Sequence, residues 1–178
     1  RQGIGQGIGQ AAFRQIARLP GMMAGLVVQG IRYNAEIEQL EVGFGKILGT
    51  AEAGVRRMAE LQRFAAETPF QLMDIANANR QLEVLTGGAL SSAEGMRLVG
   101  DTAAAAGRGI EEVSQWVGRL YSGLQNGTPI VEATMRLLEM GVITGELKQE
   151  LDALATSGTV DGRSWDIAAR HFSKFAGT

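Results

Sequence analysis

Cysteine is absent from this 178-residue chain, histidine occurs once and proline only three times. Without cysteine there is no disulfide, no thiol nucleophile and no thiolate metal site, a composition that fits a reducing compartment. A single histidine, His171, rules out histidine-based metal clusters, and no partner constellation lies near it in sequence; an ordinary helix-surface or edge position is expected for it. Charge of one sign is missing as well. Lysine and arginine number 17 against 19 aspartate and glutamate, a formal net charge of -2, so there is no broad positive field for a polyanion. Specific nucleic-acid recognition is therefore not expected.

Long hydrophobic runs are also lacking. The most apolar stretch, Leu19 to Ile31, is flanked by Arg18 and Arg32 and falls short of the roughly 20 apolar residues of a transmembrane helix. Gly21 and Gly25 form a small-xxx-small pair that lets helices approach closely in lipid or in a bundle; a packed, glycine-tolerant helix is the favoured reading. No signal peptide is evident, because the first uncharged run carries alternating glycines and no compact apolar region with a cleavage site. The chain opens at Arg1 without an initiator methionine and closes just after an apolar helical pattern, so it is expected to be a piece of something longer.

Chemistry-bearing motifs are scarce. Gly43-Phe44-Gly45-Lys46 is followed by Ile47, lacking the Ser/Thr and upstream glycine of a phosphate loop, and it sits within a helical pattern. Asp74, Asp101, Asp161 and Asp166 fall near helix starts, where a carboxylate complements the macrodipole. No cofactor, metal or catalytic group is expected, and the chain reads as non-enzymatic. Alternating β-branched segments are missing too, while helical spacing recurs almost everywhere, which predicts an all-α fold.

What is present is organised around Glu67 to Asp101. Thr68-Pro69 reads as an N-cap followed by proline at the first helical position, with Gln71 completing a capping box. Leu72, Ile75, Ala76, Leu82 and Leu85 follow helical spacing, and Gly87-Gly88 supply the left-handed closure. Ser91 with Glu94 repeats the box and opens a second helix, so the two form a hairpin. Before this hairpin, residues 1–32 form a glycine-rich apolar arm, with glycine at 3, 5, 7 and 9. Residues 33–67 predict one long amphipathic helix. Its buried face, a candidate packing and self-association surface, is Ile37, Leu40, Phe44, Ile47, Leu48, Val55, Met58 and Leu61. The period drifts towards 3.6, which favours a helix lying on other helices over a regular two-stranded coiled coil. Glu52 with Arg56, and Arg63 with Glu67, are spaced for surface ion pairs.

Residues 68–178 predict a compact bundle of short helices. Ile110, Val113, Val117, Leu120 and Leu124 make one stripe, bounded by Gly107 to Gly109 and by Asn126-Gly127. Trp116 and Tyr121 read as core or edge residues, because no basic cluster accompanies them in sequence. Thr128-Pro129 restarts a helix ended by Gly141; Thr144 caps another closed by Ser157-Gly158; a last helix spans Trp165 to Phe175.

Glu67-Thr68-Pro69-Phe70, the helix with a glycine turn after it, and Gly100-Asp101-Thr102-Ala103 together resemble the conserved-domain region of tail tape measure proteins of long-tailed bacteriophages. The likeness continues through Leu120-Tyr121-Ser122-Gly123-Leu124, Met140-Gly141-Val142-Ile143 and Phe172-Ser173-Lys174-Phe175-Ala176-Gly177, covering roughly residues 36 to 178. The resemblance implies a non-enzymatic structural module acting in tail assembly, tail-length determination and DNA passage at ejection. It implies as partners other copies of the chain (a homo-oligomer, with a trimer as one form), tail tube and tail tip proteins, and the host membrane during ejection. The implied location is the lumen or tip end of the virion tail, after assembly in the bacterial cytoplasm. Two other readings are carried: a membrane-active or pore-forming helical segment in residues 1–31, and an unrelated helical adaptor or an enzyme with an unrecognised site.

Overall fold

A computed structural model describes residues 19–158 and 162–177, with side chains described for 33–158 and 163–177. Every regular element among these residues is helical, so the fold is all-α as the spacing predicts. Most of the glycine-rich arm, and Asp161, lie outside the described residues. The chain divides between Val55 and Arg56 into two compact units, taken here in turn.

The first unit contains α1, Leu19–Leu48, and the beginning of α2, Ala51–Glu67. The single helix expected over 33–67 is thus two helices, and α1 begins inside the segment read as arm. The break is made by Gly49, whose φ of +91° is closed to side-chain-bearing residues. Thr50 then starts α2, its hydroxyl accepting the Ala53 amide at 3.1 Å. The chain turns sharply enough that a Cβ on Gly54 would sit 2.2 Å from the Glu41 carbonyl oxygen and 2.6 Å from the Gly45 nitrogen. Two backbones touch here because glycine leaves room. Apolar spacing runs in phase across the corner, which is why periodicity alone misses it.

Of the eight candidate packing residues, Phe44, Met58 and Leu61 are buried, and Ile37, Leu40 and Leu48 are half-buried. Ile47 and Val55 are exposed, at 40% and 51%, so neither belongs to the core of its own unit.

The second unit comprises the rest of α2, then α3 (Leu72–Thr86), α4 (Ala93–Ala105), α5 (Ile110–Asn126), α6 (Val131–Glu139), α7 (Gly145–Thr156) and α8 (Gly162–Phe172), with a 3₁₀ turn over Ser173–Phe175. Helix α5 is the centre: it packs most extensively on α3 and also meets α4, α6 and α8. Its stripe of Ile110, Val113, Val117, Leu120 and Leu124 is fully buried, opposite Ile75, Ala78 and Leu82 among others. Each such side chain contributes about 1.5–3 kcal/mol on leaving water. Close approach of α3 and α5 passes over Gly118, where a Cβ would lie 2.9 Å from Leu85 Cδ1.

Helix ends correct three sequence expectations. Helix α3 begins at Leu72 behind Gln71, which makes no side-chain cap; the Thr68 hydroxyl instead donates to the Phe64 carbonyl at 3.0 Å, so it finishes α2. Helix α4 is capped by Ser92, which accepts the Gly95 amide at 3.2 Å, and Ser91 is released for another task. Helix α6 starts at Val131, two residues beyond Pro129, without a side-chain cap. Elsewhere the expectations hold: Gly87 closes α3 at φ +59°, and Thr144 caps α7 by accepting the Leu147 amide at 3.3 Å. The expected Arg63–Glu67 pairing gives way to Glu67 with Arg97 from α4, at 3.4 Å.

Candidate functional site

Leu90 in the turn before α4, with Glu94, Leu98 and Asp101 of α4, forms one side of a groove; α8 brings Trp165, Asp166, Ala169, Arg170 and Phe172, and the 3₁₀ turn brings Ser173, to the other. The groove encloses about 780 Å³, within the size range of small-molecule and peptide clefts. Its floor is apolar and its rim carries both signs of charge. Phe172 is 1% exposed and anchors an aromatic cluster. Trp165 meets Tyr121 edge-on at 5.0 Å and Phe172 at 5.9 Å, while His171 lies 6.2 Å from Phe172 and 5.8 Å from Phe175. At the end of the groove the Gly177 amide donates to Asp101 Oδ2 at 2.9 Å, joining residues 76 positions apart.

His171 occupies an edge, as expected, and its basicity is depressed. Burial disfavours the imidazolium, Lys174 repels it, and a hydrogen bond to the Val142 backbone partly offsets both. The unfolded chain, titrating near 6.5, therefore takes up a proton before the folded chain does. Stability from this group is present above that value and is lost as pH falls from it through the lower folded-state value. Between pH 8 and 5.5 the melting temperature of the wild type should fall, and His171→Gln should flatten that slope. Equal slopes in both proteins would remove His171 as the titrating group. Measurements stay above pH 5 because Glu146, whose pKa is lowered by its own backbone amide and by Thr144, adds a similar loss further down.

A second constellation joins α2 to the α3–α4 hairpin. Arg57 Nη1 donates to Asn79 Oδ1 at 2.8 Å, Glu83 Oε2 at 3.0 Å and the Ser91 carbonyl at 3.3 Å. Asn79, fully buried, donates to the same carbonyl at 2.7 Å, and the Ser91 hydroxyl donates to Glu83. This network is absent from the sequence reading. Its one visible signal is Asn79 itself, a polar residue on the stripe set by Ile75 and Leu82.

Two arginines accompany Trp116: Arg119 stands one turn on in α5, and folding brings Arg136 from α6. The guanidinium carbons of Arg119 and Arg136 lie 5.1 and 5.9 Å from its ring centre. Glu132 lies 3.9 Å from Arg119 and Glu139 lies 3.0 Å from Arg136, so this is a charge-compensated patch and not a platform for nucleic acid. Beside it α6 exposes Val131, Met135 and Leu138, spaced to share one helix face.

Of the eight packing candidates, Leu61 alone lines a described cavity, a smaller cleft between α2 and α4, and none lines the groove. Gly43, Gly45 and Lys46 lie within α1, in no phosphate-binding loop. Among the described residues no three acidic or histidine side chains cluster in a way that could hold a metal, and no helix is long and apolar enough to cross a membrane. Comparison with profiles of known protein families, with curated protein sequences and with solved structures returns no match.

Proposed function

We propose that this chain is a structural module of a tail tape measure protein from a long-tailed bacteriophage, acting in tail assembly, tail-length determination and passage of DNA at ejection. The observation that supports this reading most is spatial: two of the segments on which the resemblance rests meet directly, and three others pack within the same bundle. Gly100 lies under Phe64, where a Cβ would come within 3.0 Å of the ring. Asp101 takes the Gly177 amide at 2.9 Å. Tyr121 meets Trp165 in α8, and the Val142 backbone takes a hydrogen bond from His171. Asp101 and Gly177, 76 positions apart, thus tie an early segment of the resemblance to its last one.

On this reading the partners are further copies of the chain, the tail tube and tip proteins, and the host membrane at ejection; the location is the virion tail. Deleting the gene from its phage should leave heads without tails. Short insertions after Gly88 or Gly158 lengthen only surface turns of the bundle, so electron micrographs of those mutants should show tails of wild-type length. Normal tails in the deletion strain would overturn the assignment. Tails that lengthen in proportion to the loop insertions would show instead that the bundle itself measures length.

A further inference from the structure

Residues 56–67 of α2 differ from every other helix of their unit in how they are held. The backbones of α3 to α8 approach one another closely, but α2 has no comparably close backbone neighbour. Between α2 and α4 lies a cleft of about 360 Å³ lined by Arg57, Leu61, Phe64, Met96 and Arg97 among others. Attachment is by side chains alone: Met58 and Leu61 are buried, and others reach across to the hairpin. Arg57 holds one end through the three hydrogen bonds to Asn79, Glu83 and Ser91; Phe64 on Gly100 and Glu67 with Arg97 hold the other.

The hairpin beneath does not need this attachment to stay closed. Asn79 still bonds the Ser91 carbonyl, Ser91 still bonds Glu83, the Leu90 amide is held by the Thr86 hydroxyl at 3.1 Å, and Ser92 caps α4. Removing α2 leaves one carboxylate, Glu83, short of its cation, and that group then faces water.

We propose that residues 56–67 form a strap that opens as a unit while α3 to α8 remain folded, with Arg57 as the pin that sets how often it opens. Opening separates Phe64 from Gly100 and uncovers the Met96 side of α4. A helix tied by a few long side chains is the kind of element that exchanges through sub-global opening.

Native-state hydrogen exchange on the full chain tests this. In the wild type, amides from Met58 to Glu67 should exchange at least about a hundredfold faster than those of α5, through an opening with little denaturant dependence. Arg57→Met removes charge-assisted bonds present only when the strap is closed, so it should speed exchange in α2 about tenfold. Val117→Ala weakens the core equally in the strap-closed and strap-open forms. It should speed exchange in α5 and leave α2 unchanged. The proposal is overturned if α2 and α5 share one rate and one denaturant slope in the wild type, or if Val117→Ala accelerates both alike.

Discussion

Gly95→Ala should lower the unfolding free energy by about 2–3 kcal/mol, although alanine is the better helix former by roughly 1 kcal/mol. Gly95 is buried in the first turn of α4, and a Cβ there would lie 2.5 Å from both the Cα and the carbonyl oxygen of Leu90. Those are backbone atoms, and they cannot move cheaply. The Leu90 amide is fixed by Thr86, and the next carbonyl, of Ser91, is held by Arg57 and Asn79. Relief must come from shifting the whole turn between α3 and α4. Urea unfolding would measure it; an unchanged or raised midpoint would mean that the turn is free to slide.

Phe172→Ala should cost more, about 3–5 kcal/mol, the usual range for removing a buried aromatic ring. Phe172 is 1% exposed and lies between Trp165 and His171, so its loss empties the place where α8 meets the body of the bundle. The near-ultraviolet circular dichroism of Trp165 and Tyr121 should weaken with it. A loss below about 1 kcal/mol would contradict a packed aromatic anchor, because that is the range of surface substitutions.

The all-α class and the core stripe of α5 could be read from spacing, since burying one face of a helix imposes a period that any sequence must show. Helix ends were legible where one residue decides them. Gly87 and Thr144 act through their own backbone geometry or hydroxyl, so each can be read without knowing its neighbours in space. Ends failed where two residues could serve: Ser91 and Ser92 are adjacent and equally able to cap, and the choice falls to Ser92 because Glu83 and Gly88 engage Ser91. Thr68 likewise faces a helix on either side. The Gly49 corner stayed hidden because the hydrophobic period continues through it. Arg57 and Arg136 stayed hidden for another reason: their partners lie from 20 to 34 residues away along the chain, and no periodicity records such encounters.

The bond between Asp101 and Gly177 also sets a timetable for synthesis. Helices α3, α4 and α5 are complete once Asn126 has emerged, yet Tyr121, Leu98 and Asp101 then face water where α8 will lie. Translation at the rapid end of about 5–20 residues per second needs roughly 4 s to supply the 76 residues from Asp101 to Gly177, and about 15 s at the slow end. Throughout that interval the nascent protein carries an open apolar flank next to a finished core. Such a flank is a natural point of engagement for chaperones until α8 and Gly177 are made and close it.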